Sequence, residues 1–199
     1  CYGALLGKRY DGVVRWWCDV TGSKAVAALA ERVRREVGDV TMLVNNAEIM
    51  PCNRDAQNML QSFLPSMMEK NHGHIVAMSS MAGMLGLRNL VPYCASKFAV
   101  RGMMEALHEE LREDSKDYSG IKITVICPYI VDTGLCKNPK IRFPTLMKIV
   151  TADEAADNIV DAVRRNYSEI TIPSSLFYLL YYPADVANRD FLDSGLEAQ

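Results

Sequence analysis

The chain of 199 residues has 49% hydrophobic and 23% charged residues, a composition that excludes a disordered or low-complexity chain. Its length suits one domain with a full hydrophobic core, so we predict a single domain over residues 1–199. The net charge of −2 argues against a nucleic-acid partner, and the longest strongly apolar stretch, Leu176–Tyr182, is too short to span a bilayer.

Strand-like and helix-like segments alternate along the chain. β-Branched and aromatic runs predict strands, whereas apolar residues three or four positions apart predict helices. In chain order, the predicted elements are a strand at Val13–Cys18, a helix from Thr21 or Ser23 to Val37, a strand at Val40–Val44, a helix at Asp55–Lys70, a strand at His74–Met78, a helix at Tyr93–Asp117, a strand at Ile121–Cys127, a helix at Thr151–Arg165 and a strand at Glu169–Ile172. This alternation predicts an α/β fold whose parallel sheet is covered on both faces.

The six cysteines and three histidines show none of the spacings of a zinc site, so we predict no metal centre. Cys18 and Cys127 lie in strand-like apolar runs, which predicts buried thiols. This use of cysteine favours a reducing, intracellular compartment. The aromatic stretch Leu176–Tyr182 is predicted to form a core helix or a lid over a pocket, with contact to a membrane surface as the alternative.

In a parallel α/β sheet, ligands bind beyond the carboxyl ends of the strands. Small polar residues recur at these positions, namely Asp19, Asn45–Asn46, Ser79–Ser80 and Asp132–Thr133. The recurrence predicts a ligand crevice along that edge. Taken singly, the serine pair and the asparagine pair are also explained as strand-end turns or helix caps.

Tyr93 and Lys97 form a Y-x-x-x-K pair, which places both side chains on one face of the predicted helix. An ammonium beside a phenol favours the phenolate, which suits a general acid/base that exchanges a proton with a hydroxyl or carbonyl. Ser80, at the end of the preceding strand, is placed to hydrogen-bond a substrate oxygen. Tyr118 and Lys122 have the same spacing but straddle a predicted helix–strand junction, so we assign that pair to chance.

Together these residues resemble the short-chain dehydrogenase/reductase family. The matching segments, in family order, are Cys18–Thr21, Asn45–Ala47, Ser79–Ser80, Tyr93–Lys97 and Cys127–Gly134. Four segments are similar to the retinol and 17-beta-hydroxysteroid dehydrogenase branch of the family, namely Asn71–Ile75, Tyr93–Phe98, Pro128–Gly134 and Phe191–Leu196. The resemblance implies a Rossmann-like, doubly wound parallel sheet.

The resemblance also implies roles for the catalytic residues. Tyr93 is the implied acid/base, Lys97 tunes it and binds the nicotinamide ribose, and Ser80 orients the substrate oxygen. Tyr93 is thereby also implied to lie against the cofactor. The implied reaction interconverts a secondary or allylic alcohol (a retinoid, steroid or other lipid) and its carbonyl, with NAD or NADP as the cofactor.

Further residues are implied to bind the cofactor. Asp19 is implied to contact the adenine ring, and Asn45 and Ala47 to line the adenosine side. Val131 and Thr133 are implied to hold the carboxamide and phosphate end. The family's segment that selects NAD or NADP has no counterpart in the sequence, so the choice between them stays open.

The start of the sequence departs from the family pattern. No G-x-x-x-G-x-G precedes Val13, so we expect an incomplete sheet in which the first β-α-β unit is missing. Val13–Cys18 is then expected at one sheet edge. Without the strands that separate it from Val40–Val44 in the family, these two strands either keep unpaired edges or pair directly.

The middle of the chain also departs from the pattern. The stretch from Asn46 to Phe63 is shorter than in the family by roughly eighteen residues, or about five helical turns. The catalytic asparagine of the family lies in the missing part. Asn58 is the nearest candidate, but its offset from Phe63 is wrong, so we do not assign it. Glu48 stands where the family has glycine, and its carboxylate either disfavours a phosphate-bearing cofactor or swings to solvent.

Two functions are therefore expected. The first is that of an NAD(P)-dependent oxidoreductase acting on a small lipophilic alcohol or carbonyl. The alternative is a catalytically impaired relative or truncated gene product that serves as a binding or interaction module. The resemblance implies a homodimer, although its interface helix is shortened here, and an endoplasmic reticulum or lipid-droplet location for a full-length parent.

Overall fold

The computed structural model describes residues 13–46, 54–134, 140–141, 148–177 and 196–197. Helices and strands alternate through most of these ranges, as the sequence predicts. In chain order the elements are α1 (Ser23–Glu36), β1 (Met42–Asn45), α2 (Arg54–Lys70), β2 (Gly73–Met78), a 3-10 turn (Met81–Gly83), α3 (Val91–Glu113), β3 (Ile121–Pro128), β4 (Val131–Asp132), β5 (Lys140–Ile141), β6 (Val150–Thr151), α4 (Ala152–Arg164), β7 (Glu169–Ile172) and β8 (Leu196–Glu197).

The central sheet is parallel and has the strand order β1-β2-β3-β7. Its register places Leu43 of β1 beside Ile75 of β2, and Ile75 beside Ile123 of β3. Two short pairs lie outside this sheet: β4 runs parallel to β6, and β5 runs antiparallel to β8. Because every neighbour in the central sheet is parallel, the carboxyl ends of its strands meet at one edge.

Helices cover both faces of the sheet. On one face, Leu43, Ile75 and Ile123 form a buried cluster with apolar residues of α1, α2 and α3. On the other face, Val76 and Ile126 pack with α4. Strands buried on both sides read as continuous apolar runs, as Ile75–Met78 of β2 does. The α/β fold with a Rossmann-like, doubly wound sheet is thus confirmed.

Local chemistry accounts for several helix boundaries. The Thr151 hydroxyl accepts a hydrogen bond of 3.2 Å from the backbone N–H of Glu154, so the predicted cap of α4 is present. Pro92 stands in the first turn of α3, where its missing N–H costs nothing. Pro65 lies inside α2 on an exposed position, so the carbonyl that it leaves without an N–H partner is on the solvent side of the helix.

The prediction of a strand at Val13–Cys18 is wrong. These residues are irregular, and β1 forms the edge of the sheet. No described strand lies beside the segment, so a β-prone sequence has no ladder to join. Trp16 instead lies against the guanidinium of Arg32, which is 5.6 Å from its ring centroid, while Trp17 is 89% exposed. The two segments do not pair directly with each other, and β1 has no second neighbour among the described strands.

A buried polar chain crosses the opposite, amino end of the sheet. Nε2 of His74 is 2.8 Å from Oγ1 of Thr124, and that hydroxyl donates its proton to the Tyr167 carbonyl at 2.7 Å. Because Thr124 has one proton to give, His74 must be the donor to it, which requires the neutral tautomer with the proton on Nε2 or the imidazolium. Burial, and secondarily the charge of Lys122, lowers the pKa of His74, so the neutral form is favoured.

We predict that acid weakens the fold through His74. Its pKa is lower in the folded than in the unfolded chain, so the unfolded chain gains a proton first as pH falls below about 6.5. The free energy of unfolding should therefore fall between pH 7.5 and 5.5, by at most about 1.4 kcal/mol per pH unit from this group. Urea unfolding of the parent chain and His74→Gln, whose amide can still donate to Thr124, measures the effect.

His72→Gln is the matched control, because His72 is exposed and lies two residues earlier. It should keep the pH dependence of the parent chain, whereas His74→Gln should flatten it. Equal slopes for His74→Gln and the parent chain would contradict the assignment.

Candidate active site

The carboxyl end of β2 supplies two buried serines. Ser80 caps the 3-10 turn: its hydroxyl accepts from the backbone N–H of Ala82 at 3.2 Å and donates to the Pro128 carbonyl at 3.3 Å. Thus the strand-end turn left open as an alternative for this residue is present. Its hydroxyl also bridges the ends of β2 and β3, at the edge where ligands bind in such sheets.

Lys97 is buried and joins α3 to the end of β2. Its ammonium donates to the Met78 carbonyl at 3.1 Å, and its own carbonyl accepts from the Ser79 hydroxyl at 3.0 Å. The two bonds run in opposite directions between the same pair of elements, and we call them the Lys97 clamp. A charge removed from water requires such partners, so the clamp fixes the ammonium in one position.

Tyr93 lies one helical turn before Lys97 and is half-buried. The Lys97 ammonium is 5.6 Å from the centroid of the Tyr93 ring, which confirms that the two side chains share a helix face. The pair assigned to chance is arranged differently. Tyr118 precedes β3, whereas Lys122 lies within β3 and turns its ammonium to the Ser119 carbonyl at 2.7 Å.

Gly83 allows α3 to approach β2 this closely. A Cβ atom at this position would lie 2.5 Å from the Ser79 hydroxyl oxygen and 2.7 Å from the Lys97 carbonyl oxygen. Both distances are well below van der Waals contact, and both atoms belong to the Lys97 clamp. The glycine is thus required by the packing of the clamp itself.

Cys127 lies on β3 next to the Lys97 clamp and is fully buried. Burial, and then the charge of Glu169, raises the pKa of its thiol to about 12; the Ser79 hydroxyl, Arg101 and Lys97 act in the opposite direction. The thiol is therefore neutral, as the sequence predicts for a buried cysteine. Cys18, the other thiol predicted to be buried, is only half-buried.

The predicted cofactor residues lie at the same edge on β1 and beyond β3. Asn45 ends β1 beside Ala77, and neither Oδ1 nor Nδ2 of its buried amide has a hydrogen-bond partner within the described part of the chain. Val131 is half-buried in β4, and Thr133 follows it exposed, with its N–H donating to the Val131 carbonyl at 2.8 Å. Ala47, like Glu48, lies outside the described residues.

Asp19 begins the turn that leads into α1. Its Oδ1 accepts from both the hydroxyl of Thr21 at 2.8 Å and the backbone N–H of Thr21 at 3.1 Å. These hydrogen bonds, the hydroxyl's first, lower the pKa of the Asp19 carboxyl. Asp19 therefore carries a fixed negative charge at neutral pH, on an ordered turn.

Three contributors to this region have roles that the motifs do not predict. The Met78 carbonyl and Ser79 complete the Lys97 clamp, and Asn58 binds the turn that carries Asp19. A backbone carbonyl has no sequence signature, and Ser79 is distinguishable from Ser80 only by the alternation of side chains at the strand end. No group of three metal-ligating side chains occurs among the residues described, and none of the helices found there is long and apolar enough to cross a bilayer.

Comparison with known proteins gives consistent matches. Residues 50–141 match the short chain dehydrogenase family. Epidermal retinol dehydrogenase 2 of Mus musculus is 34% identical over 182 residues, which are 82% of this chain and 58% of that protein. The human 17-beta-hydroxysteroid dehydrogenase 13 is 37% identical over 174 residues, covering 78% and 56% of the two chains.

Two further proteins are similar to part of the chain. Retinol dehydrogenase 10 of Xenopus tropicalis is 43% identical over 148 residues, covering 65% of this chain and 43% of that protein. A crystal structure of serine dehydrogenase from Escherichia coli is 25% identical with a TM-score of 0.49, over 56% of this chain and 58% of that chain. The chain thus spans between 43% and 58% of the length of these curated relatives.

We predict that Gly83→Ala disrupts the Lys97 clamp. The added methyl must displace the Ser79 hydroxyl and the Lys97 carbonyl, which should cost roughly 1–3 kcal/mol of unfolding free energy. Gly86→Ala is the matched control in the same loop, because a Cβ there meets nothing within 4 Å. Urea unfolding compares the two variants, and equal midpoints would rule out close packing at Gly83.

Proposed function

Because this chain belongs to the short-chain dehydrogenase/reductase family, we propose that it interconverts a secondary or allylic alcohol and its carbonyl, with a nicotinamide dinucleotide as hydride carrier. The observation that carries this proposal is the position of Lys97. Its buried ammonium is held to the Met78 carbonyl and lies one helical turn from Tyr93, at the ligand-binding edge of the sheet.

Tyr93 is the proposed acid/base. In the oxidative direction its phenolate takes the hydroxyl proton of the alcohol, and in the reductive direction its phenol returns that proton to the carbonyl oxygen. The ammonium of Lys97 favours the phenolate by its charge and, because it cannot leave the Met78 carbonyl without losing its buried partner, provides that field at a constant position.

Ser80 is the proposed partner of the substrate oxygen. Its hydroxyl proton goes to the Pro128 carbonyl at 3.3 Å, the longer end of the hydrogen-bond range, so turning it toward a substrate oxygen costs little. The backbone N–H of Ala82 meanwhile holds the Ser80 oxygen in place at 3.2 Å. The residue is thus fixed in position while its proton is free to rotate.

The residues at this edge suit a dinucleotide. Asn45 offers a buried amide whose donor and acceptor are both unused within the described chain, and Asp19 offers a carboxylate for the adenine ring. Lys97 would hold the nicotinamide ribose, and Val131 and Thr133 the carboxamide and phosphate end. When bound, NAD or NADP supplies or accepts the hydride at the substrate carbon.

The substrate class follows from the relatives. Their names include retinol dehydrogenase and 17-beta-hydroxysteroid dehydrogenase, so we propose a lipophilic alcohol such as a retinoid or steroid. The same branch suggests an intracellular site at the endoplasmic reticulum or lipid droplets. The family's homodimer is the proposed assembly, and the exposed Phe98 on α3 offers an apolar contact for it.

A second candidate function is that of a catalytically impaired relative acting as a binding module. The observation that favours it is the edge strand β1, on which Met42 and Val44 are each about half exposed (48% and 49%). Titration with NADH or NADPH, followed by nicotinamide fluorescence, and a turnover assay together separate the two candidates. Saturable binding together with turnover supports the oxidoreductase, and binding without turnover supports the module.

We predict that Tyr93→Phe lowers the rate of alcohol oxidation by a factor of about 10²–10⁴, the usual contribution of a positioned acid/base. The assay follows reduced nicotinamide absorbance with retinol or a 17β-hydroxysteroid and NAD or NADP. Tyr118→Phe is the matched control, since it alters the pair assigned to chance, and it should keep the parent rate. Equal rates for Tyr93→Phe and the parent chain would refute the assignment.

A further inference from the structure

We propose that Asn58, on α2, is a positioning residue that holds the Asp19 turn (residues 19–22) in place for the adenosine part of the nucleotide. The inference rests on the proposed function, in which Asp19 contacts the adenine ring. It gives Asn58 a role different from the proton-relay asparagine that the sequence leaves unassigned.

The contacts of Asn58 are specific and long-range. Its side-chain Nδ2 donates to the Val20 carbonyl at 3.1 Å and to the Thr21 carbonyl at 3.2 Å, across separations of 38 and 37 residues. The residue is 5% exposed. The amide nitrogen thereby binds two successive carbonyls of one turn, and two bonds from a planar group restrict the orientation of that turn as well as its distance.

The Asp19 turn has particular need of such a tether. The segment that precedes it, Val13–Cys18, joins no strand, so no β ladder holds the turn from that side. Cys18 and Val20 pack against the core only in part, and Trp16 lies against Arg32. Apolar contacts of this kind allow sliding, whereas the Asn58 amide specifies one position.

A continuous set of hydrogen bonds links Asn58 to the Asp19 carboxylate. Asn58 holds the carbonyl of Thr21, and the N–H and hydroxyl of the same Thr21 hold Oδ1 of Asp19. Oδ2 of Asp19 accepts neither of these bonds, which leaves it for a donor such as the exocyclic amine of adenine. Displacing Thr21 therefore displaces the carboxylate.

The topology places this tether at the ligand-binding edge. α1 and α2 both run against the direction of β1, so the start of each helix lies near the carboxyl end of that strand, where Asn45 has its unpaired amide. Asn58 is in the second turn of α2. At the other end of the two helices, Asp39 pairs with Lys70 and accepts a hydrogen bond from Ser66. These contacts lie away from the Asp19 turn, which Asn58 holds.

Tryptophan fluorescence tests the tether without any ligand. The chain has two tryptophans, and Trp17→Phe leaves Trp16 as the single reporter next to the turn. In that background, Asn58→Asp replaces the donor with an acceptor facing two carbonyls, and Asn58→Ala removes it without adding charge. Either variant should raise the iodide quenching constant of Trp16 about twofold, as the segment detaches from α2.

Asn158→Asp is the matched control. Its Nδ2 donates to a backbone carbonyl, that of Glu154 at 2.7 Å, but within one turn of α4 and at an exposed position. It should leave quenching unchanged. The tether is refuted if Asn58→Ala folds, as judged by circular dichroism, and its Trp16 has the same iodide quenching constant as in the parent chain. If the charged variant Asn58→Asp fails to fold, Asn58→Ala still provides the test.

Ligand binding tests the positioning role. AMP and nicotinamide mononucleotide are titrated separately into the full chain, Asp19→Ala and Asn58→Ala by calorimetry. Loss of the tether should weaken the binding of AMP about five- to tenfold, the effect of one hydrogen bond, and should leave the binding of nicotinamide mononucleotide unchanged. Equal weakening of both ligands indicates general loosening of the fold and overturns the inference.

The titrations of the two variants distinguish failure of the positioning role from failure of the proposed function on which it rests. If Asp19→Ala weakens AMP but Asn58→Ala does not, the positioning role fails and the proposed adenine contact stands. If neither variant changes AMP binding, or if the parent chain binds no AMP, the adenine contact itself fails and the positioning role with it. If both variants weaken the binding of AMP and leave that of nicotinamide mononucleotide unchanged, the adenine contact and the positioning role are both supported.

Discussion

The buried ammonium of Lys97 is the constraint around which the rest of this structure is arranged. A charge removed from water is costly unless it is bonded, and one partner of this ammonium is the backbone carbonyl of Met78 at the end of β2. That bond fixes how closely α3 approaches the sheet. The close approach of α3 to the sheet also accounts for three neighbouring residues, because each either fills the narrow space between them or leaves it free: Ser79, Gly83 and Cys127, whose thiol is neutral.

The sheet separates this polar region from a second one at its opposite end. Between them lie apolar strand interiors such as Ile75 and Val125, buried on one face by the first three helices. At the amino end, Nε2 of His74 bonds the Thr124 hydroxyl, and that hydroxyl donates to the Tyr167 carbonyl. At the carboxyl end, the Asn45 amide stays unsatisfied among the described residues. A buried polar group without a partner is expected where a ligand completes the bonding, which agrees with the cofactor contact proposed for Asn45.

Sequence patterns predicted most elements because their periodicity reflects burial that the fold provides. Helices α1 to α4 and strands β1, β2, β3 and β7 appear close to their predicted bounds. Tyr93 and Lys97 share a helix face as predicted, whereas Tyr118 and Lys122 do not lie on one helix. The failure at Val13–Cys18 has a physical cause: β propensity describes side chains that suit a ladder, but not whether a partner strand is beside them. The Met78 carbonyl and the amide of Asn58 were unpredictable for another reason. Their partners are backbone atoms far along the chain, and only the packing of helices on the sheet brings them together.

The two halves of the candidate site are therefore held by different means, and this bears on their relative stability. On the proton-transfer side, α3 is fixed by the Lys97 clamp and again one turn later, where Arg101 pairs with Glu169 of β7 at 2.7 Å. On the nucleotide side, the Asp19 turn depends on one neutral amide, and the neighbouring edge strand leaves Met42 and Val44 half exposed. Segments with few buried contacts open at lower free energy than a core strand does. A nucleotide bound as proposed, with contacts to Asn45 and Asp19, would therefore stabilise the weaker half of the molecule more than the half that carries Tyr93, so that binding and local order would be coupled on one side of the site.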